Sequence, residues 1–354
     1  MENLDVSAFW TGKRVLITGH TGFKGAWLSY WLTQLGADVA GMALAPDTTP
    51  ALFDQLELAK TLDHMIGDIR DPDLVARRVT DTQPDIVFHL AAQPLVLASY
   101  EQPLETWQTN VMGSLHVMQA LRGVSKRCAA VMVTTDKVYE NREDGRAYRE
   151  DHPLGGHDPY SASKAAMEIA VSSWRKSFLV GTDIRMASAR AGNVIGGGDW
   201  ADNRILPDIV RALQNGRDIA VRNPMAVRPW QHVLEPLAGY LNLAERLWTS
   251  DDHLYRSAFN FGPSEGDARP VRDLVNEVLD IWPGNWVDVS SDASVHEAKL
   301  LSLDSSKSAS VLGFKPRWNF DQTIEKTITW YRAVAEGQSA ADITASQLIE
   351  FGAP

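Results

Sequence analysis

Between Arg14 and about Arg190 short apolar runs alternate with amphipathic helical patterns, an order that few architectures satisfy. "RVLIT" (14–18), "DVAGMA" (38–43), "DHMIG" (63–67), "DIVFHL" (85–90), "AAVMVT" (129–134) and "DIRMASA" (183–189) read as strands. "GAWLSYWLTQLG", "DPDLVARRVTDT", "TWQTNVMGSLHVMQALR" and "PYSASKAAMEIAVSSWRKS" read as the helices between them. Runs apolar at consecutive positions suit strands covered on both faces, and helical crossovers join parallel neighbours. The expected fold is therefore α/β, with a doubly wound parallel sheet whose ligands sit beyond the carboxyl ends of its strands.

After Arg190 the pattern loosens. "GGGDW" (196–200) reads as loop, 205–216 and 233–248 as helices, and "FNFGP" (259–263) as a strand ending in a turn. A helix over 271–282, a short strand over 286–289, and helices near 304–312 and 320–336 complete the chain. The expected division is 11–191 plus 227–262 as a dinucleotide-binding Rossmann domain. Residues 192–226 plus 263–354 then form a smaller, mainly C-terminal substrate-binding domain.

"ITGHTGFKGAW" sets Gly19, Gly22 and Gly25 between the first strand and the first helix, with Phe23 among them. Glycines there permit a tight turn, bring a backbone close to a pyrophosphate, and present it to a helix N-terminus with free N–H groups. No Gly-Lys-Ser/Thr ending follows, so a triphosphate loop is not indicated. "GDIRD" puts Asp68 and Ile69 after the third strand, where they suit an adenine, although Asp68 equally suits a helix cap. "HLAAQ" ends the fourth strand with Leu90, Ala91 and Ala92, small enough to leave room beside a cofactor or to pack a helix closely. The second strand ends "GMALAP" without an acid, and Asp47 lies beyond it. The residues therefore leave NAD and NADP both open.

Tyr160 and Lys164, four apart at the start of a helical segment, share a face. A phenol with a pKa of about 10 becomes a usable base when an ammonium and an oxidised nicotinamide favour its anion. The preceding strand ends in "VTTDKVY", which brings Thr134, Thr135, Asp136 and Lys137 to the same edge.

A formal charge of −11 argues against nucleic acid and anionic membranes as partners. Cys128 is the only cysteine, so no disulfide forms within the chain, and the nine histidines show no ligand spacing, so no metal is expected. The N-terminus lacks a signal-peptide pattern, and no apolar run reaches the roughly 18 residues of a membrane span, so a cytoplasmic protein is expected.

"TGHTGFKG", "HLAAQ", "TNVMGS", "TTDKVY", "YSASK", "RAGNVIGGGDW" and "RPWQHVLEP" together resemble the extended short-chain dehydrogenase/reductase family. Within it, Thr-Asp-x-x-Tyr after the fifth strand resembles the sugar-nucleotide 4,6-dehydratases. The resemblance implies NAD as cofactor and CDP-glucose or a related sugar nucleotide as substrate. It further implies Tyr160 and Lys164 at the C4 hydroxyl together with Thr135, Asp136 as acid at C6, and Lys137, where the commoner pattern has Glu, as base at C5. Thr134 and Asn110 are implied on the cofactor side, and Asn193, Arg204, Arg228, His232 and His296 on the substrate side. A homodimer or homotetramer paired through the Tyr160 helix is also implied. A 4-epimerase or 4-ketoreductase shares Tyr160 and Lys164 but has no leaving hydroxyl for Asp136 to protonate. A silent NAD-sensing scaffold on the same fold needs none of the three.

Overall fold

The computed structural model describes residues 6–142, 144–264, 266–290 and 301–352. Its centre is a parallel sheet of β1 (Arg14–Thr18), β2 (Asp38–Ala43), β3 (Asp63–Ile66), β4 (Ile86–His89), β5 (Cys128–Val133), β6 (Ile184–Ala191) and β7 (Ala258–Phe261). The order across the sheet is β7-β6-β5-β4-β1-β2-β3, so the direction of winding reverses between β1 and β4. A crevice opens at such a reversal, at the carboxyl ends of the strands.

Residue parity explains why these strands read as unbroken apolar runs. On β1, Val15 and Ile17 join one buried cluster while Leu16, between them, joins another on the opposite face. Ala129, Val131 and Val133 of β5 face the first cluster, whereas Cys128, Ala130 and Met132 face the second. Both faces are covered by helices, so neither parity is left for polar residues.

The helices that matter for the site are α1 (Phe23–Gln34), α2 (Pro72–Thr82), α3 (Ser114–Leu121), α4 (Pro159–Ser177), α5 (Ile205–Gln214), α6 (Leu234–Thr249), α7 (Val271–Ile281), α8 (Ser306–Leu312), α9 (Phe320–Ala335) and α10 (Ala340–Glu350). Each of α2 and α4 has Pro in its first turn and an Asp N-cap, Asp71 or Asp158, accepting backbone N–H groups. Helix α9 opens on a reciprocal capping box between Asn319 and Gln322.

Two expectations change. The segment "TWQTNVMGSLHVMQALR" is not one α-helix: Pro103–Trp107 is followed by a π turn over Gln108–Gly113 before α3 begins. Such turns insert a residue and redirect a side chain, here that of Asn110. Helix α10 was not anticipated, and it returns to the first half of the chain, where Phe351 meets Trp31 of α1 edge to face at 6.0 Å. In the loop "GGGDW", Trp27 donates to the Gly197 carbonyl at 2.9 Å, while the Trp330 ring fills the space where a Gly197 Cβ would lie. These contacts fix the loop after β6 beside the glycine turn.

Candidate active site

The glycine turn fits a dinucleotide's pyrophosphate. Gly19 adopts φ +79°, and a Cβ there would sit 2.6 Å from the Ala91 nitrogen. A Cβ on Gly25 would fall 2.0 Å from the Gly19 carbonyl oxygen, so α1 closes on β1 only with glycine at that position. Gly22 caps α1 without a side-chain hydrogen bond, so no capping side chain takes up the first-turn N–H groups. Phe23 is half-buried, with its ring tip against Gly196. Leu90, Ala91 and Ala92 are half-buried at the mouth of β4. Asp47 is exposed beyond the end of β2.

Asp68 and Ile69 also lie at these strand ends. The Asp68 carboxylate accepts the Arg70 Nε at 2.8 Å and the Arg70 backbone N–H at 2.8 Å. Ile69 is buried under Gly113 of the π turn, and His116 bonds its carbonyl at 2.9 Å.

The reaction cluster is built by the turn after β5 and the first turns of α4. Thr135 donates to the carboxylate of buried Asp136 at 2.9 Å, and both side chains act on the Tyr160 phenol, Thr135 favouring its anion and Asp136 opposing it. Lys137 Nζ lies 3.4 Å from the same Asp136 oxygen. Burial pushes the Tyr160 phenol up to about 12, with Thr135 acting in the other direction. Burial lowers Lys164 to about 8, and its Nζ donates to the Val133 carbonyl at 3.1 Å. Thr135 and Asp136 thus stand together beside the buried phenol.

Arg204, the residue before α5, holds Asp199 at 2.9 Å and turns its charge on Tyr160. Asn193 is half-buried in the turn after β6, next to Gly192, where a Cβ would lie 2.9 Å from Asp136 Oδ2. Arg228 is buried beside Pro229, whose ring abuts Gly192.

Three of the expected site residues have protein partners. Thr134 donates its hydroxyl to Glu168 at 2.6 Å. The Asn110 amide is consumed internally: it accepts from the Gln93 N–H at 2.8 Å and donates to the Gln93 carbonyl at 3.1 Å and to Ser163 at 2.9 Å. It positions the β4 end against α4. His232 is a buried residue between Trp27 and Trp318, where burial lowers its pKa to about 3. His296 lies outside the described residues.

Other residues join the site unannounced by any motif. Glu168 continues the Tyr160–Lys164 spacing by one more turn and makes a two-pronged ion pair with Arg190, at 3.0 and 2.9 Å, while accepting Thr134 and Ser188. Removing one partner of a buried pair costs about 3–5 kcal/mol because the other is left charged and alone. Glu168→Ala is therefore expected to lower stability by that amount in denaturant unfolding, and Glu168→Met with Arg190→Met by much less. Equal losses would mean the pair itself is not what stabilises the fold. Lys24, inside the glycine turn, is brought down to about 7 by burial and by Arg204, with Asp136 opposing. Its presence in "GFKG" was visible, but its approach to Asp136 was not.

The comparisons agree with this geometry. The family described as GDP-mannose 4,6 dehydratase matches residues 16–260. The chain belongs to this family. It is 46% identical over 337 residues to the CDP-glucose 4,6-dehydratase of Salmonella typhimurium, covering 93% of each chain. It is 31% identical to the dTDP-glucose 4,6-dehydratase of Streptomyces antibioticus, covering 90% of this chain and 92% of that one. A solved dTDP-glucose 4,6-dehydratase from Streptomyces venezuelae, with NAD and TYD bound, superposes with TM-score 0.75 at 25% identity, over 93% of this chain and 99% of that one. Family membership makes the chain an enzyme, a dehydratase on the short-chain dehydrogenase/reductase fold. Among the described residues no helix is long and apolar enough to cross a membrane, and no cluster of ligands suits a metal.

Proposed function

We propose that the chain converts CDP-glucose to CDP-4-keto-6-deoxyglucose with NAD, a step of dideoxyhexose and O-antigen synthesis in the cytoplasm. The grouping of Tyr160 with Thr135 and Asp136 carries the reading, because oxidation at C4 and loss of the C6 hydroxyl need a base and an acid in one pocket. The 46% identity to the Salmonella enzyme, against 31% to the Streptomyces antibioticus dTDP-glucose enzyme, supports the cytidine nucleotide.

When bound, NAD would supply a hydride acceptor for C4 and, in its reduced form, a hydride donor for C6, so that no external reductant would be needed. The chain's residues move the protons. Tyr160, supported by Lys164, takes the C4 hydroxyl proton, and Thr135 holds that oxygen. Lys137 removes the C5 hydrogen made acidic by the 4-ketone, and Asp136 protonates the departing C6 hydroxyl. Arg204 and Arg228 offer guanidinium forks to the diphosphate, and Asn193 contacts the sugar. The glycine turn, Ala91 and Ala92 hold the dinucleotide against 11–191 plus 227–262, and 192–226 plus 263–354 form the wall for the sugar nucleotide.

Protein with NAD and, in turn, CDP-, dTDP-, GDP- and UDP-glucose tests this. The highest kcat/KM is expected for CDP-glucose, with ketosugar absorbance in alkali and solvent deuterium at C5. Equal turnover of dTDP-glucose would overturn the cytidine assignment, and epimer without ketosugar would overturn dehydration.

We further infer a homodimer or homotetramer. Leu97, Tyr100, Leu104, Trp107 and Met112 are exposed along helices Val96–Glu101 and Pro103–Trp107 and the π turn, and Leu104 is 77% exposed. A contiguous apolar surface of this kind suits a subunit contact. Solution scattering should report at least twice the chain's mass, and the mass of one chain would contradict the assignment.

A further inference from the structure

Away from the reaction cluster, a cavity of about 1050 Å³ opens at the β7 edge of the sheet, between the second half of α4, the loop over 149–154 and α8. Five cationic side chains and three carboxylates line it, a positive surplus on a chain whose formal charge is −11. The carboxylates are largely spoken for. Glu168 is bound to Arg190, and Glu150 accepts the Asn260 backbone N–H at 2.7 Å.

Two of the cations make no direct ion pair among the described residues: Glu168 acts on Arg175, and Glu150 and Asp151 act on Lys307, without a carboxylate in contact. Arg175 Nη1 is buried with no hydrogen-bond partner among the described residues. Lys307 Nζ donates to neutral oxygens only, Ser257 Oγ at 3.0 Å and the Ala258 carbonyl at 2.7 Å, and stands over the Phe259 ring at 4.5 Å. Burial disfavours the charged forms of Arg175 and Lys307 alike. Cations partly removed from water without a direct ion pair are costly, and an anion in contact with both relieves that cost. Serine hydroxyls from α4 and α8, among them Ser172, Ser306 and Ser310, add donors along the wall. The volume suits a ligand of nucleotide size, and a planar guanidinium beside a mobile ammonium suits phosphate oxygens.

We propose that this cavity binds a phosphate-bearing small molecule, with Arg175 and Lys307 as its cationic contacts. The site is separate from the diphosphate position assigned to Arg204 and Arg228, and its test does not depend on which sugar nucleotide is the substrate.

Calorimetric titration with inorganic pyrophosphate, on protein whose substrate site is first saturated with CDP, is expected to reveal one further saturable site per chain. Titration with inorganic phosphate and with UDP separates the sources: tighter UDP binding assigns part of the recognition to a nucleoside, equal binding to phosphate alone. Arg175→Met with Lys307→Met should weaken pyrophosphate at least about tenfold, leaving KM for the sugar nucleotide unchanged, and Arg175→Lys should retain binding. If the double variant loses its native circular dichroism, Arg175→Met against Arg175→Lys makes the same comparison. Pyrophosphate binding that persists undiminished in the variants, or that CDP abolishes in the unsubstituted protein, overturns the proposal.

Discussion

Tyr160→Phe is expected to reduce kcat by about 10²–10⁴-fold, the usual worth of a positioned proton acceptor, while the protein remains folded. The substitution removes one oxygen on which Thr135 acts and leaves a ring that still fills its buried site. Stability should change by only about 1 kcal/mol, the net value of a single hydrogen bond. The pH profile supplies an independent readout. Burial raises the phenol to about 12 and lowers Lys164 to about 8. In the unsubstituted enzyme kcat/KM should therefore climb with pH through neutrality as the small phenolate fraction grows. It should level off above about 8, where loss of the Lys164 ammonium cancels that gain. A Phe variant that keeps the same climb would assign the base elsewhere.

Asp136→Asn should separate the two halves of the reaction. Asparagine preserves the shape of the side chain, its acceptor oxygen for Thr135 and its contact with Gly192, but it has no proton to give to a departing hydroxyl. Elimination is expected to slow by about 10²-fold or more, and C4 oxidation by far less. Rapid mixing should then show reduced-cofactor absorbance rising and persisting, together with 4-ketoglucose nucleotide that still carries its C6 oxygen. Parallel loss of both steps would remove Asp136 from the acid role and leave it as a support for Thr135 and Lys137.

The parallel sheet, its helices and the glycine turn were legible because they rest on local signals: two-sided apolar runs, Asp and Pro at helix starts, and glycines between strand and helix. The directions of single side chains were less so. Thr134 and Thr135 are neighbours of the same type, yet strand parity sends the first to Glu168 and the second to Tyr160. A sequence shows both hydroxyls without showing which one the pleat turns toward the pocket. The surroundings of Asn110 are hidden for a related reason, since its partners Gln93 and Ser163 are distant in the chain. Those of His232 are hidden because Trp27 and Trp318 come from opposite ends of the chain. The Glu168–Arg190 pair escaped notice because a carboxylate on a helix and a guanidinium on a strand look solvated until their burial is known.

Helix α4 carries Tyr160, Lys164 and Glu168 at successive turns, so proton chemistry and anchorage hang from a single rigid rod. A slide or twist of that rod would carry the phenol and the amine off target while loosening the ion pair that keeps the rod seated. Transplanting only the Tyr-x-x-x-Lys portion into another scaffold would therefore move the reactive groups without their mooring. A successful graft has to bring Glu168 and Arg190 along.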